Sequence, residues 1–483
     1  IMNIDLNIAA ALPEMILATM ACLILLIDAF YGNRYRQLTC WTSIATLLLV
    51  ALLAASDIST QSDVAFGGMY FDDPLGNLLK AAIFLSTAVV FLYSREYLEQ
   101  RDIQSGEFYV LGLFGALGMS IMASAGNFLT IYLGLELLAL SLYALVAFNR
   151  KSDRSTEAAM KYFVLGAIAS GILLYGLSIL YGLTGTLDIT GVSTALANSE
   201  VNNQAITLAL VFIVVSLAFK LGAVPFHMWL PDVYQGSPTA TTLYLGSAPK
   251  LAAFAMIMRL LVGGLENFHS SWQEMLVILA ILSMGAGNLI AIAQTNIKRM
   301  LAYSTISHMG FFLLGILSAT ETGYSASLFY VMVYSVMALG TFGMILLFSR
   351  RGFEAEELSD FKGLSQHHPW YAFLMLLLMF SMAGVPPTVG FYAKLSVIRS
   401  VLQVELVWVA VVAVLFAVVG AFYYLRVIKL VYFDHAEGEA LIVESPVANK
   451  VMLSINVLAL IVVLPWMGEI ISFCTEVITS LAG

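Results

Sequence analysis

The sequence places charged side chains deep inside stretches that are otherwise apolar: Glu136, Lys220, Lys250 and Lys394. A charge near the centre of a bilayer costs on the order of 3 kcal/mol or more unless it is paired, hydrated or neutralised. Burial disfavours the charged form of a lysine, and a nearby carboxylate favours it again. These residue types therefore suit a site that takes up and releases protons.

The stretches around these charges are long enough to cross a membrane. The chain has 483 residues, of which 60% are hydrophobic and 11% charged, and its mean hydropathy is +0.90. These values exclude a soluble globular protein. We count about fourteen apolar stretches that can span a hydrocarbon core of roughly 30 Å, the first near 7–30 and the last near 450–479. The sequence therefore predicts an all-α polytopic membrane protein.

Most of the lysines and arginines lie in alternate connections between these spans, and the intervening connections, such as 57–73 and 186–204, contain none. The positive-inside rule assigns the basic connections to the cytoplasm or an equivalent compartment. An even number of spans then puts both termini on the opposite, positive side of the membrane. The basic connections carry Arg34 and Arg36, Arg95 and Arg101, Arg150, Lys151 and Arg154, Lys298 and Arg299, Arg350, Arg351 and Lys362, and Arg426, Lys429 and Lys450.

Two spans are interrupted by glycine and proline. The first break contains Gly222 and Pro225 and directly follows Lys220, and the second contains Gly384 and Pro386 and precedes Lys394. Proline removes a backbone donor and glycine tolerates a bend, so each helix should unwind locally and free its carbonyl groups. Paired interrupted spans are a pointer to a transport site.

The broken spans are the seventh and the twelfth by our count, and an odd separation gives corresponding helices opposite orientations. This arrangement predicts two inverted five-helix repeats within a single membrane domain, 1–483. The longest polar connections, including 350–367 and 433–449, are too short for a soluble unit and should be plain loops. We expect helices 1–3 in 1–100, the first repeat (helices 4–8) in 107–264, the second (helices 9–13) in 272–432 and helix 14 in 449–483.

Each buried charge also has a structural interpretation. Glu136 is either a carboxylate that holds helices together or a counter-ion that controls a lysine. Lys220 either extends its side chain to the membrane interface or faces water at the helix break. Lys250 lies too deep in its span for easy extension to the interface, and we interpret both lysines as proton carriers.

Polar residues elsewhere are secondary candidates. His308 follows Ser304 and Ser307 along one span, where a histidine either packs with hydrogen bonds or relays protons. Glu157 and Lys161 have the i, i+4 spacing of a helical salt bridge, which stands at the membrane surface or takes part in proton uptake. His227 and Asp232 follow the first break and either shape the adjoining loop or line an entrance.

The sequence contains no phosphate-binding or dinucleotide-binding motif and no cluster of metal ligands. Cys22, Cys40 and Cys474 are scattered and fit no ligand spacing. We therefore expect no cofactor or metal in this chain, and a lipid bilayer rather than a nucleic acid around it. The first apolar stretch carries Glu14 and Asp28, which favours a retained helix over a signal peptide.

Three motifs together resemble the antiporter-like membrane subunits of respiratory complex I, the proton-pumping NADH:quinone oxidoreductase, and the resemblance extends over essentially the whole chain. The first motif surrounds Glu136 in Ile131-Tyr-Leu-Gly-Leu-Glu-Leu-Leu-Ala-Leu140. The others are Phe219-Lys-Leu-Gly-Ala-Val-Pro-Phe-His-Met-Trp-Leu-Pro-Asp232 and Gln294-Thr-Asn-Ile-Lys-Arg-Met-Leu-Ala-Tyr-Ser-Thr-Ile-Ser-His308. Such long motifs are specific to this superfamily.

Within the family, the chain looks like the subunit N branch. The run Val233-Tyr-Gln-Gly-Ser-Pro238 resembles that branch, and so does lysine at position 394, where subunit M usually has glutamate. The length leaves no room for the additional C-terminal spans and lateral helix of subunit L.

The resemblance implies a mechanism. Glu136 would control Lys220, and protons would pass through Lys250 towards His308, while Lys394 communicates with the far side. FMN, iron–sulfur clusters and quinone would lie in other subunits, and subunits M and K and the lateral helix of subunit L would be neighbours. The membrane would be the bacterial, or the mitochondrial, inner membrane.

Two other functions are compatible with the same residues. A subunit of a multisubunit Na⁺/H⁺ antiporter would share the lysine and glutamate positions. A purely structural membrane subunit would use the buried charges only to hold helices together.

Overall fold

The structure is a computed structural model that describes residues 7–31, 36–58, 62–103, 105–198 and 203–435, then 441, 443 and 445–480. The described residues are mostly helical. The α-helices are α1 (Leu12–Tyr31), α2 (Arg36–Ser56), α3 (Pro74–Gln100), α4 (Gly106–Ala123), α5 (Phe128–Val146), α6 (Asp153–Thr184), α7 (Ile189–Asn198), α8 (Asn203–Leu221), α9 (Trp229–Gly236), α10 (Thr239–Gly246), α11 (Ala248–Ile257), α12 (His269–Ile292), α13 (Ile297–Leu317), α14 (Glu321–Phe348), α15 (Leu364–His367), α16 (Pro369–Ala383), α17 (Val389–Gln403), α18 (Val407–Tyr432), α19 (Val447–Val462) and α20 (Met467–Thr479).

The all-α membrane architecture is confirmed. Within the described residues, 12 helical stretches are long and apolar enough to span a membrane, and α19 with α20, bent by 47°, makes 13. The pair α16 and α17 supplies one more span if its two halves are counted together, in agreement with the predicted total. Apolar side chains such as Leu52 and Val418 stay 70% and 69% exposed on the outside of the bundle, as a lipid-facing surface requires.

Both predicted breaks are present. Helix α8 ends at Leu221 and α16 ends at Ala383, and each is followed by a glycine in the left-handed region, Gly222 and Gly384, both with φ of 80°. A left-handed glycine ends a helix without the penalty that a Cβ would bring. Pro225 and Pro386 follow within each break, where the chain leaves the helical path.

A third interruption was not predicted. Between α10 and α11, Ser247 has φ of −112° and ψ of −94°, so the span that carries Lys250 is also broken. The same span continues beyond α11 as a π-helix, Met258–Gly264. Proline at position 249, in the first turn of α11, was the available signal.

The prediction of plain loops in the long polar connections is wrong for those the structure describes. Residues 57–73 contain an antiparallel hairpin of β1 (Asp63–Ala65) and β2 (Tyr70–Asp72), and α7 occupies most of 186–204. The hairpin is held on the bundle by backbone hydrogen bonds, one of them from Phe71 N to Ser124 O at 2.7 Å. Tertiary contacts, rather than local pattern, order this short segment.

The two five-helix repeats stay a prediction, which the packing of the first two helices in each supports. A Cβ on Gly118 would lie 2.6 Å from Gly134 O, so α4 and α5 touch backbone to backbone. A Cβ on Gly310 would lie 2.8 Å from Ala280 O, so α12 and α13 do the same. Small residues permit this close approach in membrane helices. The corresponding pairs of the two proposed repeats therefore pack alike.

Candidate functional site

Lys220 and Lys250 line the same internal cavity. Its volume is about 30 Å³, enough for a water molecule or two. Trp229 of α9 and Tyr162 of α6 form part of its wall, and their rings stack at 4.6 Å. The break after α8 turns the chain so that Trp229 Nε1 donates a hydrogen bond of 3.0 Å to Phe219 O, next to Lys220. The structure therefore brings two of the predicted lysines together around a space that can hold water.

Lys250 is held by the end of the broken helix. Its side chain is 2% exposed, and its Nζ donates a hydrogen bond of 2.9 Å to Leu221 O. Leu221 is the last residue of α8, and the carbonyls of a last helical turn lack partners within their own helix. The carbonyl end of a helix is also the negative end of its dipole, which favours a cation there.

Lys394 is held in the same way by the second broken helix. Its Nζ donates hydrogen bonds of 2.8 Å to Met382 O and 2.9 Å to Ala383 O, at the end of α16. The side chain is 9% exposed, and Phe311 lies against it with a ring centroid 5.0 Å from Nζ. Both breaks therefore provide carbonyl groups that receive a buried lysine.

Glu136 and Lys220 are near one another but do not form a salt bridge. Glu136 acts electrostatically on Lys220, and within the described part of the chain neither side chain has a hydrogen bond to another residue. The Oε1 atom of Glu136 is buried without a partner. A buried carboxylate oxygen without a protein partner costs free energy unless water satisfies it. Glu136 and Lys220 therefore interact through their charges and are not held together by a hydrogen bond.

His308 lies in a cluster of tyrosines from distant helices. It is 2% exposed, with Nδ1 2.7 Å from the hydroxyl of Tyr330 and Nε2 3.1 Å from that of Tyr424. Tyr424 also bonds to Ser304. His308 is within electrostatic reach of Lys394. The expected polar surroundings of His308 are present, but the tyrosines of α14 and α18 were not predicted because nothing in their own sequence marks them as its neighbours.

The lysine pair, Lys220 and Lys250, is not connected to His308 by a continuous chain of hydrogen bonds among the described residues. Among the described residues, no hydrogen bond leads from Lys250 to His308. One turn beyond each of them, Phe254 and Phe312 make a ring contact at 5.9 Å. The predicted relay therefore has two parts, Lys220 with Lys250 and His308 with Lys394. The Phe254–Phe312 contact lies beside the space between Lys250 and His308.

The secondary candidates divide into two groups. Lys161 Nζ lies 2.8 Å from both Glu157 Oε1 and Asp232 Oδ2, and Arg299, which was not predicted to join them, is 2.8 Å from Asp232 Oδ1. Glu157, Lys161 and Asp232 line a cavity of about 140 Å³ at the same end of the molecule as the basic connections. His227 stands apart from this network, and among the described residues its buried Nδ1 atom has no hydrogen-bond partner.

Two buried ion pairs outside the predicted site were missed. Lys80 Nζ is 3.4 Å from Glu14 Oε1, and both side chains are under 9% exposed. Arg259 reaches Asp73 with two hydrogen bonds of 2.5 and 2.8 Å. Lys80 and Arg259 sit inside apolar spans, which was the available signal, but their partners come from distant parts of the sequence.

Comparison with known proteins decides the family. The family profile described as "NADH:quinone oxidoreductase/Mrp antiporter, TM" matches residues 125–420. NADH-quinone oxidoreductase subunit N of Thioalkalivibrio sulfidiphilus is 59% identical over 97% of this chain and 98% of its own length. The protein of the same name from Herminiimonas arsenicoxydans is 54% identical over 98% of each chain. The chain belongs to the NADH-quinone oxidoreductase subunit N family.

Solved structures agree with membership of the subunit N family. A chain of respiratory complex I from Thermus thermophilus has a TM-score of 0.83 and 29% identity, and the match covers 95% of this chain and 99% of that one. A chain of the Mrp complex from Dietzia sp. DQ12-45-1b has a TM-score of 0.81 at 20% identity, over 98% of each chain. At that identity the second match shows a shared fold alone.

Proposed function

We propose that this chain is the proton-translocating membrane subunit N of NADH:quinone oxidoreductase, respiratory complex I. The observation that carries the proposal is the pair of lysines, Lys250 and Lys394, each buried on the freed carbonyls of a broken helix. Membership of the subunit N family supports complex I as the assembly in which the chain works. Quinone reduction takes place elsewhere in that complex, and this chain moves protons without carrying electrons.

Glu136 and Lys220 act as the control point. Because the two do not form a salt bridge in this structure, Lys220 can lose its proton without leaving a bonded carboxylate behind. When Glu136 approaches, its charge favours the ammonium form of Lys220, and when it withdraws the proton is released. Lys250 shares the cavity of Lys220 and is the next acceptor.

His308 and Lys394 form the second half of the path. A neutral imidazole accepts a proton on one nitrogen and gives one up from the other, so His308 can pass a proton between Tyr330 and Tyr424. Transfer from Lys250 to His308 needs transient water beside the Phe254–Phe312 contact. The cavity of Glu157, Lys161 and Asp232 is the entrance on the inner side. His227, two residues after Pro225 in the first break, is a further candidate for this entrance.

The partners and location follow from the same proposal. Subunits M and K and the lateral helix of subunit L are its neighbours, and FMN, iron–sulfur clusters and quinone lie in other subunits. The chain is a multi-pass protein of the bacterial inner membrane, or of the mitochondrial inner membrane, with both termini on the positive side. The charge distribution of the connections supports this orientation.

Replacement of Lys220 or Glu136 by alanine in the assembled complex tests the proposal. Both variants are expected to lose proton pumping and most of the coupled quinone reduction, while the NADH oxidation that precedes quinone stays intact. Lys151→Ala, an exposed lysine in a basic connection, is the matched control. Normal proton-to-electron stoichiometry and turnover in the assembled Lys220→Ala complex would refute the proposal.

A subunit of a multisubunit Na⁺/H⁺ antiporter is the competing function. The similarity to the Mrp complex extends to the fold alone, whereas the relatives above 50% identity are named as subunit N. Copurification separates the two, because only complex I brings flavin and iron–sulfur proteins with this chain.

A further inference from the structure

Tyr234 of α9 has a buried hydroxyl group that forms no hydrogen bond with any other described residue. The side chain is 0% exposed. A buried hydroxyl without a protein partner is normally satisfied by water. The hydroxyl is therefore a place where a water molecule can bind, and it lies close to the cavity that Lys220 and Lys250 share, which we name the lysine cavity.

One side of the Tyr234 hydroxyl faces the span that carries Lys250. A Cβ on Gly246, the last residue of α10, would lie 3.6 Å from the hydroxyl oxygen. The span is broken at the next residue, Ser247, and irregular backbone at membrane depth is stable only beside protein or water. Tyr162, which lines the lysine cavity, is an electrostatic neighbour of Tyr234. The hydroxyl thus lies between the break and the wall of the lysine cavity.

The other side of the Tyr234 hydroxyl faces the surroundings of His308. Thr305 of α13 and Tyr334 of α14 are electrostatic neighbours of Tyr234. The hydroxyl of Tyr334 donates a hydrogen bond of 2.8 Å to Thr305 Oγ1, and the ring centroids of Tyr334 and His308 are 5.2 Å apart. Both Thr305 and Tyr334 are 1% exposed. They therefore link Tyr234 to His308 inside the bundle.

Tyr334 also lies near the two hydroxyls that bond to His308. It is an electrostatic neighbour of both Tyr330 and Tyr424, which occupy the two ring nitrogens of His308. A tyrosine or threonine hydroxyl both accepts and donates a hydrogen bond, so each can receive one proton and pass on another. Hydroxyl groups of α9, α13, α14 and α18 thus extend from the wall of the lysine cavity to His308.

We propose that the hydroxyls of Tyr234, Thr305 and Tyr334 carry protons from the lysine cavity to His308. This inference rests on the proposed function, since the proton comes from Lys250. Water is then needed only between Lys250 and Tyr234, between Tyr234 and Thr305, and at the last step to His308. The three hydroxyls supply fixed positions for the step that the hydrogen bonds of the described residues leave open.

The proton balance needs no oxidant or reductant. Lys250 gives up one proton and becomes a neutral amine, each hydroxyl accepts one proton and releases its own, and His308 becomes an imidazolium. In this structure Tyr334 donates to Thr305, and Thr305 donates to Leu301 O. Both O–H groups point away from His308, so the route is closed until the two hydroxyls turn.

Tyr234→Phe in purified complex I, reconstituted into proteoliposomes, tests the route. The hydroxyl has no partner among the described residues, so its removal should leave assembly and melting temperature unchanged. NADH-driven gradient formation and quinone reduction should slow about tenfold, because a group in the proton path is lost. Electron transfer from NADH to an artificial acceptor upstream of quinone should stay intact.

Tyr324→Phe is the matched control for Tyr234→Phe. It removes another buried hydroxyl without a partner among the described residues, near the start of α14 and outside the route. This change should leave pumping at the wild-type rate. Normal pumping in Tyr234→Phe, or an equal slowing in Tyr324→Phe, would overturn the proposal.

Thr305→Ser and Thr305→Val separate a hydroxyl relay from packing. Serine keeps the hydroxyl and loses a methyl group, whereas valine keeps the shape and loses the hydroxyl. The relay predicts near-normal pumping with serine and slow pumping with valine, and a packing role predicts the opposite order. Tyr234→Phe combined with Thr305→Val should be no slower than either change alone, because both interrupt one route. Multiplied effects in the double variant would contradict a single route.

Lys220→Ala in the same assay separates the hydroxyl route from the proposed function. Loss of pumping there, beside normal pumping in Tyr234→Phe and Thr305→Val, would leave the proposed function standing and remove the route alone. Normal pumping in Lys220→Ala would refute the proposed function, and the route with it.

Discussion

Lys250 and Lys394 on one side and Lys80 on the other are buried lysines in two different settings. Lys250 and Lys394 end on backbone carbonyls of broken helices, at 2.8–2.9 Å. Lys80, equally buried, ends on the carboxylate of Glu14 at 3.4 Å and on the hydroxyl of Tyr70 at 2.8 Å. All three lysines are buried, and Lys80 differs from the other two in having a carboxylate beside its ammonium group.

That difference decides which lysine can exchange its proton. A carbonyl is neutral and accepts a hydrogen bond from an ammonium or an amine alike, so loss of the proton leaves no unpaired charge. Loss of the proton from Lys80 would strand the charge of Glu14 in an apolar interior, which is strongly unfavourable. We therefore interpret Lys250 and Lys394 as exchangeable and Lys80 as fixed.

Lys250→Met tests the exchangeable class and has the largest expected effect. Methionine fills a similar volume but removes the proton acceptor next to Lys220. Coupled quinone reduction should fall by about a hundredfold, as expected for loss of a proton-transfer group. The measurement is NADH-driven gradient formation and turnover in assembled complex, with electron transfer to an artificial acceptor upstream of quinone as the control. Retained pumping would mean that the carbonyl-held lysine is only structural.

Lys80→Met tests the fixed class. Removal of one partner of a buried ion pair should destabilise the protein by about 3–5 kcal/mol, seen as a lower melting temperature and yield of the complex. The protons moved per electron in the complex that does assemble should be unchanged. The double variant Lys80→Met with Glu14→Leu should recover stability, since no charge is left unpaired. A changed number of protons moved per electron would show that Lys80 exchanges its proton as Lys250 does, and would contradict the distinction between exchangeable and fixed lysines.

Tyr424→Phe tests the surroundings of His308 and should have a smaller effect. The change removes the hydroxyl that faces His308 Nε2 and Ser304 and keeps the ring. The hydrogen bond to His308 Nε2 contributes about 1 kcal/mol, and its loss should slow pumping about fivefold. Tyr423→Phe is the comparison variant, because the adjacent hydroxyl donates to Asn288 and lies beside Ser304 and Tyr424, whereas His308 bonds to Tyr330 and Tyr424. Equal effects of the two changes would show a general packing defect.

The sequence predicted the broken helices that hold Lys394 and Lys250, but it did not predict the ion pair of Lys80 with Glu14. Glycine and proline beside Lys220 and Lys394 are local signals, so the helix breaks and the freed carbonyls could be read directly. The hydrogen-bond acceptor of Lys250 could not be predicted, because Leu221 lies 29 residues earlier in the sequence. Glu14 and Lys80, and His308 and Tyr424, are paired by packing between distant helices, separated in the last case by 116 positions. Periodicity and composition carry no information on such pairs.

Replacement of Lys161 should have the smallest effect on pumping and stability. It tests whether a carboxylate partner alone prevents a lysine from exchanging its proton. Lys161 bonds to two carboxylates, of Glu157 and Asp232, like a fixed lysine, but its side chain is 43% exposed. Exposed ion pairs contribute about 0–1 kcal/mol, because water screens them and replaces either partner. Lys161→Met should therefore change both the melting temperature and the pumping rate only slightly, with Lys151→Met as an exposed control. A loss of pumping as deep as in Lys250→Met would show that proton uptake depends on this charge, and that a carboxylate partner does not by itself make a lysine inert.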